Sequence, residues 1–240
     1  MNRTTAGVAA EFIGTFALTL VGAGAMLNAQ GLGMVALAHG LILSVMVSAF
    51  MHISGGQFNP AVSVSLAAIG KQPWARALAF AAAQLAGAVA AAALLSVIYT
   101  ADQQAAARLG ATIGALTVGD APTGLAPSPA LVVTLEAIAT FILMLVILGT
   151  AVDQRGVGKT AAVGGFGIGL CVAANIFFFG PLTGASMNPA RTLGPALIGG
   201  YWQTHWAYWA GPVAGALSAA LLWRSLLGGT DGAAPADEAR

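Results

Sequence analysis

Apolar residues dominate the chain in long runs that are separated by short polar breaks. Between Phe12 and Gly70 there is no Asp, Glu, Lys or Arg, and this interval far exceeds the roughly 20 apolar residues that a helix needs to cross a bilayer. Dividing the apolar runs at charges, Pro/Gly clusters and polar turns predicts six spanning helices. These spans lie at about residues 8–27, 34–53, 75–99, 130–150, 160–179 and 202–223.

Two shorter apolar segments, residues 59–68 and 188–198, remain outside the six spans. At about 1.5 Å of rise per residue, a helix of this length covers roughly half of the hydrocarbon core of a bilayer. Such segments can enter the membrane but cannot cross it. The pattern therefore predicts an all-α membrane protein with six transmembrane helices and two re-entrant half-helices.

The two halves of the sequence repeat each other. Residues 11–18 match residues 136–143, and the phrase Asn-Pro-Ala opens both short segments. Because each half contains three spans, the second copy is expected to be inverted relative to the first. We predict one membrane domain at residues 1–227, with repeats at about 8–99 and 130–226, a connector at 100–129, and a disordered cytoplasmic tail at 228–240.

Each residue of the repeated phrase suits the start of a half-helix. Asn at the N-cap accepts a bond from a free backbone N–H and leaves its own NH₂ group as a donor. Pro needs no N–H at the first helical position, and Ala is small enough for two such turns to pack closely. The residues concerned are Asn59, Pro60, Ala61, Asn188, Pro189 and Ala190.

Irregular chain is expected before each half-helix, at residues 54–58 and 181–187. Non-helical backbone at membrane depth is tolerated only where it is buried in protein or lines an aqueous cavity. The carbonyl groups of these loops would line a file of water, and the positive ends of two half-helices would repel cations at its centre. The arrangement predicts a pore that passes neutral molecules and excludes ions.

Composition and charge support a membrane protein and exclude several other classes. Hydrophobic residues make up 58% of the chain and charged residues only 7%, against about 25% charged residues in a typical soluble domain. The net charge of +1 offers no basic surface for nucleic acid, and the single cysteine excludes a disulfide framework. Of the Lys and Arg residues in the loops and tails, all but Arg108 fall on one side of the predicted spans, so both termini are expected to be cytoplasmic.

The motifs resemble those of the aquaporin, or major intrinsic protein, family. They are Ala-Glu-Phe-Ile-Gly-Thr-Phe at 10–16, His-Ile-Ser-Gly-Gly-Gln-Phe-Asn-Pro-Ala-Val-Ser at 52–63, and Gly-Ala-Ser-Met-Asn-Pro-Ala-Arg at 184–191. The resemblance implies an aquaporin-like fold and a homotetramer with one pore per subunit. It also implies a channel in the plasma membrane, with no enzymatic activity and no metal or other cofactor.

Family members share an outer constriction built from four positions, which spacing from the two Asn-Pro-Ala phrases locates in this chain. The resemblance assigns them to His39, Ile176, Ala185 and Arg191. This set is similar to that of the vacuolar (tonoplast) branch. It differs from that of strict water channels, which carry Phe and His at the first two positions. The apolar Ile176 predicts passage of water, ammonia and other small neutral molecules.

Two alternatives remain open for the function. A glycerol or small-polyol facilitator of the same family is one, although glycerol channels carry Asp after the second Asn-Pro-Ala-Arg and this chain has Thr192. An ion-coupled secondary transporter is the other, because inverted repeats with half-helices also occur there. Its ionisable candidates are Glu11 and Glu136, which stand at matching positions in the repeats. The family resemblance instead implies that both are buried structural acids that hold the re-entrant loops.

Overall fold

A computed structural model describes residues 3–114, 117–118, 121–122, 128–153, 155 and 161–228. Within these residues, six helices are long and apolar enough to span a membrane, which confirms the predicted fold class. The helices in chain order are α1 Arg3–Leu27, α2 Leu32–Phe50, α3 Pro60–Ala68, α4 Trp74–Ile98, α5 Ala101–Ala107, α6 Pro129–Ile147, α7 Ala161–Thr183, α8 Pro189–Gly199 and α9 Ala207–Leu222. The half-helices are α3 and α8.

Short elements complete the described chain. A turn of π-helix continues α6 over Leu148–Val152, and another continues α9 over Trp223–Leu227. In the connector, a 3₁₀ turn at Arg108–Gly110 follows α5, and two-residue strands β1 Thr117–Val118 and β2 Ala121–Pro122 pair antiparallel. The predicted tail lies, apart from residue 228, outside the described residues.

Predicted boundaries of α1, α7 and α9 are wrong, and α1 begins at Arg3 and not at residue 8. Helix α7 continues to Thr183, so Pro181 lies inside it and not in an irregular loop. The Gly184 N–H still donates to the Gly180 carbonyl at 2.9 Å, which keeps the last turn helical despite the proline. Helix α9 begins at Ala207 and not at residue 202, because Thr204 adopts a left-handed backbone (φ 55°) that a continuous helix cannot contain.

Small residues bring the long helices close together. A Cβ atom built on Gly169 of α7 would lie 2.1 Å from the Gly40 carbonyl oxygen of α2. A Cβ on Gly215 of α9 would lie 2.0 Å from the Ala137 carbonyl oxygen of α6. Backbones in lipid associate through such contacts, because lipid tails provide no hydrophobic drive between helices. The sequence spacing Gly-x-x-x-Gly at 165–169 and 211–215 therefore marks real packing faces.

The half-helices pack against helices of both repeats. Helix α3 contacts α4 and α9, and α8 contacts α4 and α1. Their N-termini meet inside the molecule, where the two loops preceding them are surrounded by buried apolar residues of α1, α2, α6 and α7. This arrangement places the Asn-Pro-Ala phrases at the centre of the fold.

Candidate functional site

The two Asn side chains join the tips of the half-helices. Asn59 Oδ1 accepts from the Ala61 N–H at 3.0 Å, and Asn188 Oδ1 accepts from the Ala190 N–H at 3.0 Å, so each residue caps its own helix. Across the junction, Asn59 Nδ2 donates to the Met187 carbonyl at 2.7 Å, and Asn188 Nδ2 donates to the Phe58 carbonyl at 2.8 Å.

Each NH₂ group acts as a donor, as expected from the sequence, and the acceptor is a carbonyl of the opposite loop. One N–H of each NH₂ group is used to hold the opposite loop, and one remains on each side chain. The positive ends of α3 and α8 converge here, because each cap is hydrogen-bonded to the residue directly before the other cap. The neighbouring Pro60, Ala61, Pro189 and Ala190 are all buried.

The loops before the two caps have the same backbone. The residue directly before each Asn is left-handed, Phe58 with φ 47° and Met187 with φ 54°. Three residues before each Asn the backbone is left-handed again, at Gly56 (φ 60°) and Ala185 (φ 45°). A left-handed non-glycine residue costs roughly 1–2 kcal/mol, so surrounding bonds must hold these loops in place.

A buried carboxylate holds the first loop. Glu11 of α1 is fully buried and accepts from the backbone N–H groups of Gln57 at 3.0 Å and Phe58 at 2.6 Å. Gln84 of α4 donates to the same carboxylate at 2.7 Å and to the Ser63 hydroxyl at 3.0 Å. Glu11 therefore ties α1 and α4 to the loop that precedes Asn59.

A second buried carboxylate holds the other loop in the same way. Glu136 of α6 accepts from the backbone N–H groups of Ser186 at 3.0 Å and Met187 at 2.7 Å, and from the Thr183 hydroxyl at 2.6 Å. Tyr208 of α9 donates its hydroxyl to the Thr183 carbonyl at 2.5 Å. Neither carboxylate has a described cation within salt-bridge distance, so backbone and side-chain donors satisfy both.

Arg191 is buried in the first turn of α8, and its guanidinium contacts residues from outside this helix. Its Nη1–H donates to the Gly110 carbonyl at 2.7 Å, and its Nη2 group donates to His39 Nε2 at 3.1 Å. A weaker contact of 3.3 Å joins Nη2 to the Met26 sulfur. Sequence reasoning named Arg191 and His39 but missed Gly110 and Met26, because no motif marks them.

The His39 ring is held in one orientation. Its Nδ1–H donates to the Val35 carbonyl at 2.9 Å, which leaves Nε2 as the acceptor for Arg191. The ring lies against Gly22 of α1, where a Cβ atom would come within 2.3 Å of Nε2. Gly22 thus makes room for the imidazole, a role that spacing from the Asn-Pro-Ala phrases could not reveal.

The connector reaches the site through its backbone and one hydroxyl. Gly110 supplies a carbonyl to Arg191, and Thr112 Oγ1 lies 3.0 Å from Thr192 Oγ1 of α8. The Thr192 hydroxyl also bonds the Ser186 hydroxyl of the second loop. Thr100 caps α5 in a reciprocal pair with Gln103, which begins the turn that leads back toward α8.

One cavity of about 180 Å³ runs beside both half-helix tips. All four residues assigned to the constriction and both Asn caps border it. The Pro and Ala residues of the two phrases do not border it: Pro60, Ala61, Pro189 and Ala190. Its remaining walls are mostly apolar and come from α2, α6 and α7. Those walls include Leu43, Leu143, Ile147, Ile168, Val172 and Val152.

A wider cavity of about 1050 Å³ adjoins the first one at Met51 and Gly55. His52 and Arg76 border it, and Arg76 donates to the Ser54 carbonyl at 3.0 Å. The lining of the two cavities extends from Arg191 past both Asn caps to His52 and Arg76, and we call this route the candidate path.

Three ionisable residues outside the spans, Asp153, Arg155 and His205, border neither cavity. Hydrogen bonds from Arg155 lower the pKa of the Asp153 carboxyl to about 2. Burial lowers the pKa of His205, whose Nε2 accepts from Trp209 Nε1–H at 3.0 Å. Among the described residues, no group of three or more His, Cys, Asp or Glu side chains could hold a metal ion.

Comparisons with known proteins agree on one family. Residues 2–223 match the family model described as Major intrinsic protein. Aquaporin TIP4-4 from Zea mays is 41% identical over 234 residues, covering 91% of this chain and 85% of that protein. Aquaporin NIP1-1 from Oryza sativa subsp. japonica is 40% identical over 219 residues, covering 89% and 71%.

A solved structure supports the fold alone. The X-ray structure of the aquaglyceroporin from Plasmodium falciparum superposes with a TM-score of 0.81 at 24% sequence identity. The match covers 93% of this chain and 97% of that chain. The similarity therefore extends over both repeats and both half-helices.

Proposed function

Because the chain belongs to the major intrinsic protein family of channels, we propose that it conducts water and ammonia passively while excluding protons and other ions. The family consists of channels for water and small solutes and not of enzymes. The observation that carries the proposal is the cavity that passes both Asn caps and ends at the contact of Arg191 with His39.

The Asn caps, Arg191 and the half-helix ends form the polar part of the cavity, and they account for the passage of water and the exclusion of ions. The Asn caps each retain one N–H that can donate to a passing oxygen, and Arg191 adds a fixed positive charge. The converging half-helix ends add to the same positive potential, which raises the energy of a cation or hydronium ion in the cavity. A neutral molecule meets donors without this penalty.

The apolar side of the constriction supports the broader solute range. Ile176 and Ala185 border the cavity beside Arg191 and His39 and offer no hydrogen-bonding side chain. Ammonia is neutral, close to water in size and less dependent on hydrogen bonds, so an apolar wall penalises it little. Glycerol is larger, and the site lacks the Asp that follows Arg in glycerol channels of the family.

Stopped-flow measurements on proteoliposomes test this function. We expect water and ammonia fluxes well above those of protein-free vesicles, a low activation energy for water, and a proton leak equal to that of protein-free vesicles. The double variant His39→Phe with Ile176→His should retain water flux and lose ammonia flux. The matched control Leu41→Phe with Phe177→Leu changes outward faces of the same two helices and should keep both.

The outcomes separate the alternatives. Ammonia flux no higher than in protein-free vesicles would contradict the broader solute range, and glycerol flux comparable to water flux would favour the polyol facilitator. Saturable uptake that depends on an ion gradient would favour a secondary transporter. The proposed set of constriction residues, His39, Ile176, Ala185 and Arg191, fails if the double variant behaves like the matched control.

The assembly and orientation belong to the same proposal. We infer a homotetramer in the plasma membrane with both termini in the cytoplasm, on the basis of the family resemblance and the one-sided Lys and Arg distribution. In a Cys171→Ser background, Asp102→Cys on α5 should react with an impermeant thiol reagent applied outside intact cells. Lack of labelling until the membrane is opened would reverse the orientation.

A further inference from the structure

Three acceptors surround the guanidinium of Arg191, and one of them is unlike the others. The Gly110 carbonyl and the imidazole of His39 are strong acceptors, whereas the Met26 thioether is a weak one. Its sulfur lies 3.3 Å from Arg191 Nη2, on the same nitrogen that donates to His39. A residue of α1 thus places an oxidisable atom against Arg191, a residue that borders the cavity.

Met26 differs in exposure from Met187, which borders the cavity beside Asn188. The Met26 side chain is partly exposed. Met187 is only 1% exposed, and Asn175 Nδ2 donates to its sulfur at 3.2 Å. Met26 is therefore the more accessible of these two methionines. The thioether keeps a second lone pair that the Arg191 contact does not use.

We propose that Met26 is an oxidation site that lowers the permeability of the channel when hydrogen peroxide converts it to methionine sulfoxide. The sulfur lone pair attacks one peroxide oxygen, the O–O bond breaks, and an S–O bond forms while the remaining oxygen leaves as water. The sulfur loses two electrons and the peroxide gains them. Methionine sulfoxide is reducible by dedicated reductases, so the change is reversible.

The consequence follows from where the new oxygen must lie. A sulfoxide is a stronger acceptor than a thioether and is larger by one atom. Since Arg191 Nη2 is already 3.3 Å from the sulfur, the oxygen either occupies space beside the guanidinium or draws Nη2 away from His39. In the first case the oxygen obstructs the constriction, and in the second the constriction loses the Nη2 donor. The inference rests on the proposed function, because it requires that solutes pass this point.

The test uses the full chain in proteoliposomes with a Cys171→Ser background, which removes thiol oxidation. Water permeability is measured before and after hydrogen peroxide is added outside and then destroyed with catalase. Mass spectrometry of the peptide containing Met26 measures the oxygen gained. Met26→Leu removes the site, and Met34→Leu is the matched control, because Met34 is 57% exposed at the start of α2.

We expect peroxide to lower the permeability of the background protein and of Met34→Leu by about threefold, in proportion to Met26 oxidation. Met26→Leu should keep its own untreated permeability, and Met26→Gln, which places an amide oxygen near the same point, should be low without peroxide. An equal loss in Met26→Leu, or normal water flux with full Met26 oxidation, would overturn the inference.

The design distinguishes failure of this inference from failure of the channel assignment. Untreated background flux equal to that of protein-free vesicles would overturn the proposed function and this inference with it. Robust untreated flux together with an unoxidised Met26 would overturn only the inference.

Discussion

The two re-entrant loops share a backbone and differ in the chemistry that they carry. Each ends in an Asn cap, each has a left-handed residue directly before that cap, and each is held by one buried glutamate. At the third residue after the cap, however, the first half-helix has Val62 and the second has Arg191. Both side chains border the same cavity, so the equivalent position is apolar on the first half-helix and charged on the second.

The side chains that support the two loops also differ in chemistry. Side-chain amides support the first loop, where Gln57 and Gln72 exchange bonds of 2.9 and 3.1 Å. Hydroxyl groups support the second, where Thr112, Thr192 and Ser186 form a chain beside Arg191. The two repeats therefore share the backbone of the loops, whereas the side chains around the second loop, Arg191 above all, are not repeated in the first.

Removing either glutamate should have the largest effect. Glu11→Gln and Glu136→Gln each replace an acceptor with an NH₂ group among three donors, leaving buried N–H groups unpaired. We expect each to destabilise the fold by about 3–5 kcal/mol, seen as loss of monodisperse protein in detergent. Asp102→Asn on the exposed α5 is the control. If only one of the two variants unfolds, the loops are not held equivalently.

Making the second half-helix resemble the first at the third residue after the cap should allow protons to pass through the cavity. In Arg191→Val the fixed cation is replaced by the residue type found at position 62. We expect proton leak to rise by roughly tenfold, measured with a pH-sensitive dye in vesicles. Arg76→Ala removes a cation at the wider cavity and should leave the leak at the wild-type level. An unchanged leak in Arg191→Val would place the barrier elsewhere.

Crowding the His39 ring should narrow the same end of the path. The Cβ of Gly22→Ala would lie 2.3 Å from His39 Nε2, so the ring must move towards Arg191 or the cavity. Water permeability should fall by about fivefold. Gly24→Ala, whose Cβ would meet its nearest atom at an ordinary 3.6 Å, is the matched control. Equal permeability in both variants would show that His39 does not limit flow.

Exchanging the left-handed residues between the loops should have the smallest effect. Gly56→Ala introduces a side chain at φ 60°, with its Cβ 3.2 Å from Val47 Cα. We expect a loss of about 1 kcal/mol, measured by thermal unfolding in detergent. Ala185→Gly relieves strain but adds freedom to the unfolded chain, so its stability should change by less than about 0.5 kcal/mol. Equal losses in both variants would contradict the shared backbone.

The fold could be predicted from the sequence because it depends on the lengths of the apolar segments and on how few charged residues they contain. Six long apolar spans with at most one charged residue each and two half-length segments left few alternatives, and the family comparison confirms the fold. The errors fell at the start of α1, at Pro181 and at residues 202–206, and in the last two places a last helical turn and one left-handed threonine decide the boundary. Such local backbone states have no strong sequence signal.

Much less of the site could be read from the sequence. The structure brings His39, Ile176, Ala185 and Arg191 to one cavity, and their role as a filter stays a prediction. The contacts that hold Arg191 come from residues 81 and 165 positions away, Gly110 and Met26. A backbone carbonyl and a space-making glycine have no side-chain chemistry to recognise, so only three-dimensional packing reveals them.

The most direct test of the central claim is to measure water flux and proton leak together in the same proteoliposomes. We expect water permeability at least about tenfold above that of protein-free vesicles, with a low activation energy, and no added proton leak. Water flux equal to that of protein-free vesicles, or water flux accompanied by a matching proton current, would contradict a path that passes both Asn caps and rejects charge.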